Sequence, residues 1–123
     1  MTAPARAVSI DDVAATVSTR RYQFTDEYGL QDLLAEALAG LGPVDREVRV
    51  PGAGRVDLAV GRVGVEVKVA GTPAAVSRQL ARYRASGAFD AVVLVTTRPV
   101  HLSLSDPGAA VPLRVVVVLD GAF

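Results

Sequence analysis

Between Glu47 and Val69 the chain reads "EVRV", "PGAG", "RVDLAV", "GR", "VGVEVKV". Three short segments alternate in character at every second residue, and tight turn signals separate them. A period of two sends successive side chains to opposite faces of a strand. The stretch is therefore read as three antiparallel strands, Glu47–Val50, Arg55–Val60 and Val63–Val69. In the third, the valines take one face and Gly64, Glu66 and Lys68 the other. In the second, Val56, Leu58 and Val60 share a face, opposite Arg55, Asp57 and Ala59.

A two-residue turn at Gly61-Arg62 sets the register. Val60 then faces Val63, Ala59 faces Gly64, Asp57 faces Glu66, and Arg55 faces Lys68. Two carboxylates directly opposite each other have β-carbons about 5 Å apart, and at an effective dielectric of about 20 they repel by about 3 kcal/mol. Ala59 and Gly64 are small and leave room beside the acids. A divalent cation between the carboxylates would offset the repulsion, and hard oxygen ligands suit Mg²⁺ or Mn²⁺. The other reading is a solvated polar face, with Arg55 and Lys68 offsetting the acids diagonally. Of thirteen basic residues Lys68 is the one lysine, which weighs towards the site.

The remaining elements surround this meander. Ser9 and Asp12 mark a helix start and allow a short helix over about Ile10–Val17 in an N-terminal arm of residues 1–24. "STRRYQF" then reads as a polar connector with a hydrophobic anchor, or as a nucleic-acid arm. A helix is expected from Asp26 to Ala39, capped by Thr25 and ended by Gly40, Gly42 and Pro43. Its stripe is Leu30, Leu33, Leu34, Ala37, Leu38 and Leu41, and Glu27 continues it into the first turn. A second helix, Pro73–Ala85, has Thr72 as cap and Pro73 at its first position. Val76, Leu80 and Tyr83 form its apolar stripe. "FDAVVLVTT" (Phe89–Thr97) and "LRVVVVLD" (Leu113–Asp120) read as buried strands. The fold class is α/β, with a mixed central sheet flanked by helices in one domain over residues 25–123.

Composition narrows the function classes. Thirteen acids balance thirteen bases, so nucleic acid would be drawn by a local patch rather than by net charge. Without cysteine there is no disulfide framework and no thiolate zinc site. Apolar runs are too short for a membrane span, and "MTAPARAVSIDD" has no charged region leading into an apolar core. These features point to a cytoplasmic protein. Its high hydrophobic content allows a homodimer.

The pattern resembles the PD-(D/E)xK nuclease superfamily, the restriction-endonuclease-like fold with an αβββαβ core. The residues that carry the resemblance are Glu27 in "DEYGLQDLL", Asp57, and Glu66-Val67-Lys68. Val56 stands where the name-giving proline would be. Gln79 and Tyr83 in "SRQLARY" resemble the Gln-x-x-x-Tyr element of the RecB-like branch. Read without the family, Tyr83 is core and Gln79 solvated. The resemblance implies a metal-dependent nuclease cutting DNA, with RNA not excluded, and Mg²⁺ or Mn²⁺ as cofactor. It makes Asp57, Glu66 and the Val67 carbonyl direct ligands, with Glu27 acting through water or on a second ion. Lys68 would position the attacking water, and Gln79 would join the catalytic set. Thr72, Arg78, Gln79, Arg82 and Tyr83 would contact nucleic acid. Arg78, Arg82 and Arg84 crowd the second helix, where Arg78 and Arg82 share a face that reads equally as a basic patch or as a solvated face, and Arg98 is a weaker candidate of the same kind. His101 lies in a loop with no partner pattern and reads as surface. In so small a domain, cutting is expected to be structure-selective or weakly sequence-specific. The competing class is a nuclease-like fold that binds or assembles without cutting.

Overall fold

Helix α1 (Ile10–Ser18) starts at a complete capping box. The Ser9 hydroxyl accepts from the Asp12 N–H at 3.1 Å, and the Asp12 carboxylate accepts from the Ser9 N–H at 3.0 Å. Helix α2 (Glu27–Leu38) is capped by Asp26, whose carboxylate accepts from the Gly29 N–H at 2.8 Å. The expected cap, Thr25, is displaced by one residue, because a carboxylate also complements the positive end of the helix. Helix α3 (Pro73–Ala85) begins as expected, with Thr72 Oγ1 accepting from the Ala75 N–H at 3.2 Å. All this is seen in a computed structural model that describes residues 7–119.

Five strands follow one another in space as they do in the chain: β1 (Val44–Val50), β2 (Gly54–Val60), β3 (Val63–Lys68), β4 (Ala91–Thr96) and β5 (Leu113–Val117). The first three are antiparallel, and β3, β4 and β5 are parallel. The chain is thus an α/β fold with one mixed sheet. α3 makes the crossover from β3 to β4, and a 3-10 helix, Pro99–Leu104, lies between β4 and β5. β1 starts three residues before the expected Glu47, and β4 starts at Ala91 rather than Phe89. The expected end of the last strand, Asp120, lies outside the described residues.

Alternate residues of the central strands feed two separate cores. On one face Val65, Val67, Val93 and Val95 pack with Leu30 and Leu34 of α2 and Val13 and Val17 of α1. Val92 and Leu94 pack on the other with Val76, Leu80 and Tyr83 of α3. Burial on both faces explains why β4 is apolar throughout.

Two expectations about the hairpin fail. Gly64 leaves no open space: a β-carbon there would lie 3.1 Å from the Phe89 ring. Val56 does not share a face with Leu58 and Val60. It joins the core under α3, while they join the opposite one. The β1–β2 pairing runs unbroken on both sides of Glu47 and Asp57 but omits those two. Glu47 has φ of 50°, rare for a residue other than glycine. The alternation therefore changes phase at Asp57. Among the described residues, no helix is long and apolar enough to cross a membrane.

Candidate active site

Asp57 and Glu66 meet where the β2–β3 ladder stops. The register runs through Val60–Val63, Ala59–Gly64 and Leu58–Val65, as expected from the turn, and ends there. Beyond it the acids' own side chains take the backbone donors. Asp57 Oδ2 accepts from the Val67 N–H at 2.8 Å, and Glu66 Oε1 accepts from the Asp57 N–H at 3.1 Å. Carboxylate oxygens stand in for the carbonyls of a regular ladder. The expected Arg55–Lys68 pairing is absent. Arg55 lies opposite Arg49 and its guanidinium reaches Glu47 at 3.1 Å, while Lys68 Nζ is 3.8 Å from Glu66 Oε2.

Glu66 is 1% exposed. Burial, then the charge of Asp57 and hydrogen bonding with it, push its carboxyl up to about 8, against a smaller pull from Lys68. Tyr83 lies beside it and is pushed up to about 12, by burial first and by Glu66 next. The Tyr83 hydroxyl is 2.6 Å from the Arg55 carbonyl, which can only accept, so its proton goes there. Its oxygen accepts from Gln79 Nε2 at 2.9 Å. The same hydroxyl lies 3.3 Å from Glu66 Oε2, a second and longer contact.

Glu27 arrives from the opposite helix layer. Its Oε1 accepts from the Val69 N–H at 3.3 Å, just past Lys68. Among the described residues no three His, Cys, Asp or Glu side chains converge as a metal cluster. The pair Asp57 and Glu66 nevertheless fits a hard divalent ion by its donor chemistry. The two carboxylates are close, with Glu66 raised by burial first and by Asp57 next, and Mg²⁺ commonly takes one or two protein carboxylates with water and phosphate oxygens.

No family model, curated protein or solved structure matches the chain.

Of the other residues singled out in the sequence, Gln79 reaches the acids only through Tyr83, and the Thr72 hydroxyl is occupied in capping α3. Arg78 and Arg82 are exposed. Arg84 is not available as part of a basic face, because it donates to the Val111 carbonyl at 2.8 Å and pairs with Asp106 at 3.1 Å. Arg98 is exposed at the end of β4.

His101 is a correction. It was expected at the surface and is fully buried. Its Nε2 lies 2.9 Å from the Gly71 carbonyl, so Nε2 carries the proton. Nδ1 then accepts from Thr96 Oγ1 at 2.7 Å, and that oxygen accepts from the Arg98 N–H at 3.0 Å. Both ring nitrogens have partners. It ties the β3–α3 connection to the end of β4, next to Lys68, which pairs with Thr96 in the ladder. Pro99, a helix-starting residue, was the signal for the 3-10 turn that carries it. Nothing in the sequence marks its partners.

Proposed function

We propose that the protein is a metal-dependent nuclease of the PD-(D/E)xK type, hydrolysing DNA phosphodiester bonds on a restriction-endonuclease-like core. One observation carries the reading: Asp57 and Glu66 are held together in a buried site, each by the other's strand, with Lys68 beside them. Ionising both acids sets them against each other, and a bound cation would offset that cost.

Asp57 and Glu66 would hold Mg²⁺ or Mn²⁺, with Glu27 at the edge of the site. The ion, when bound, would neutralise phosphate charge and make water more acidic. Lys68 is half-buried, and its ammonium would orient the attacking water and offset charge developing on the phosphate oxygens. The water oxygen bonds to phosphorus, the bond to the leaving sugar oxygen breaks, and the water's proton ends on that oxygen. Tyr83 and Gln79 fix the Glu66 carboxyl from behind. Arg78 and Arg82 lie on the exposed face of α3 and would meet the nucleic-acid backbone.

A second reading, a nuclease-like fold that binds without cutting, draws on the same Glu66. A buried acid raised to about 8 is already neutral at pH 7 and could serve only to brace Tyr83. The two readings separate on a panel of labelled DNA and RNA structures incubated with Mg²⁺ or Mn²⁺, wild type beside Lys68→Ala. Cutting by the wild type and loss of it in the variant support the nuclease. Equal cutting by both would defeat the mechanism, and no cutting of any substrate would favour the binding module.

A further inference from the structure

Arg49 and Arg55 stand directly opposite each other across β1 and β2. Like charges in that position destabilise a sheet, yet both line one half-open hollow of about 280 Å³ at the β1–β2 turn. Both are exposed. Arg55 reaches Glu47 at 3.1 Å in an exposed ion pair, a weak contact that an anion can displace. Arg49 has no ion pair among the described residues. A β-carbon on Gly52 or Gly54, which also line the hollow, would meet nothing within 4 Å. The rim is open.

The hollow is linked to the carboxylate pair through the backbone of β2, since Arg49 and Arg55 alternate with Val48, Val50 and Val56 of the core under α3 and project from the other face of the sheet. The Arg55 carbonyl accepts from the Tyr83 hydroxyl, which touches Glu66. Asp57 lies two residues further along β2, about 7 Å at the rise of a strand. A nucleic-acid strand carries a phosphate about every 3.4 Å along the duplex axis. A guanidinium presents a planar fork of donors that matches phosphate oxygens.

We propose that the Arg49–Arg55 hollow is a subsite for a backbone phosphate of nucleic acid, one or two nucleotides from the phosphodiester at Asp57. The spacing from the cleavage site rests on the nuclease reading. The phosphate contact itself does not. Two guanidiniums against one carboxylate give the hollow a positive balance, and the turn becomes the part of the sheet edge that sets where the strand lies.

The test measures binding of a short fluorescein-labelled DNA duplex in EDTA over a range of NaCl concentrations, so that nothing is cut. Arg49→Ala should weaken binding and reduce the slope of log K against log salt by about one. Arg49→Lys should keep most of the slope. Arg114→Ala removes an exposed cation on β5, at the other edge of the sheet, and should change neither. Inorganic phosphate at millimolar concentration should compete poorly, because it lacks the second attachment. A wild-type slope in Arg49→Ala, or an equal loss in Arg114→Ala, overturns the subsite. So does phosphate competing as well as unlabelled DNA. Cleavage is scored separately: if Arg49→Ala binds normally while the wild type cuts, only the subsite falls. If the slope changes but nothing cuts, only the nuclease reading falls.

Discussion

The carboxylate of Asp57 accepts the N–H of Val67, and the carboxylate of Glu66 accepts the N–H of Asp57. Each acid therefore closes the strand pair that carries the other. The two charges are held close at the point where the ladder gives way, so they cannot separate without opening β2 from β3. A proton relieves their repulsion, and a bound cation would do the same.

The proton gives a pH dependence. Glu66 is raised from 4.5 to about 8 in the folded protein, so between those values the folded state holds a proton that the unfolded state has released. Stability from this group is fully present below about 4.5 and is lost as pH rises through about 8. Without metal, stability should fall across that window by at most about 1.4 kcal/mol per pH unit, read as a falling melting temperature. Glu66→Gln should flatten the profile. A profile in the wild type as flat as in the variant would show that Glu66 does not carry the proton.

The cation should displace that proton. Titration with Mn²⁺ in EDTA-free buffer at pH 7 should raise the melting temperature, by about 2.7 kcal/mol in stability once the metal is at a hundredfold excess over Kd. Calorimetry in buffers of different ionisation enthalpy should find up to about one proton released per ion. Asp57→Ala should abolish both effects. A melting temperature unmoved by millimolar Mn²⁺ would count against a metal site here.

Tyr83 holds the back of the site through the Arg55 carbonyl. Tyr83→Phe leaves that carbonyl without its donor and should cost about 1–3 kcal/mol, read as a drop in denaturation midpoint. Gln79→Ala, at a half-buried position, should cost less than Tyr83→Phe. A larger loss in Gln79→Ala would mean that the amide, not the phenol, braces the site.

His101→Ala empties a buried site and strands the Gly71 carbonyl and the Thr96 hydroxyl. It should cost roughly 3 kcal/mol or more. In a milder variant, Thr96→Val, hydrogen exchange should quicken in the Arg98 amide, which loses its acceptor. Exchange at wild-type rate there would show that the Thr96–His101 link does not hold the end of β4.

Much of the fold is local and was legible. The alternation in "VGVEVKV", the Gly61-Arg62 turn and the Thr72-Pro73 helix start are decided by residues within a few positions of one another. They put Asp57, Glu66 and Lys68 on neighbouring strands of one hairpin. Local pattern could not show that the polar face of the hairpin lies under α3, where the Tyr83 hydroxyl reaches Glu66 and the Phe89 ring closes over Gly64. Nor could it show the phase change at Asp57, which sets Val56 and Leu58 on opposite faces beside an αL residue on another strand, Glu47. The burial of His101 is hidden from local pattern for the same reason. A lone histidine in a Ser- and Pro-rich loop looks solvated until folding brings Gly71 and Thr96 to its two nitrogens. Strand turns and helix starts are written in neighbouring residues, because they follow from backbone sterics and nearby hydrogen bonds. Which charges lose their water, and which carbonyls need a distant donor, is settled by the folded chain, because desolvation depends on everything packed around a group, wherever it lies in the chain.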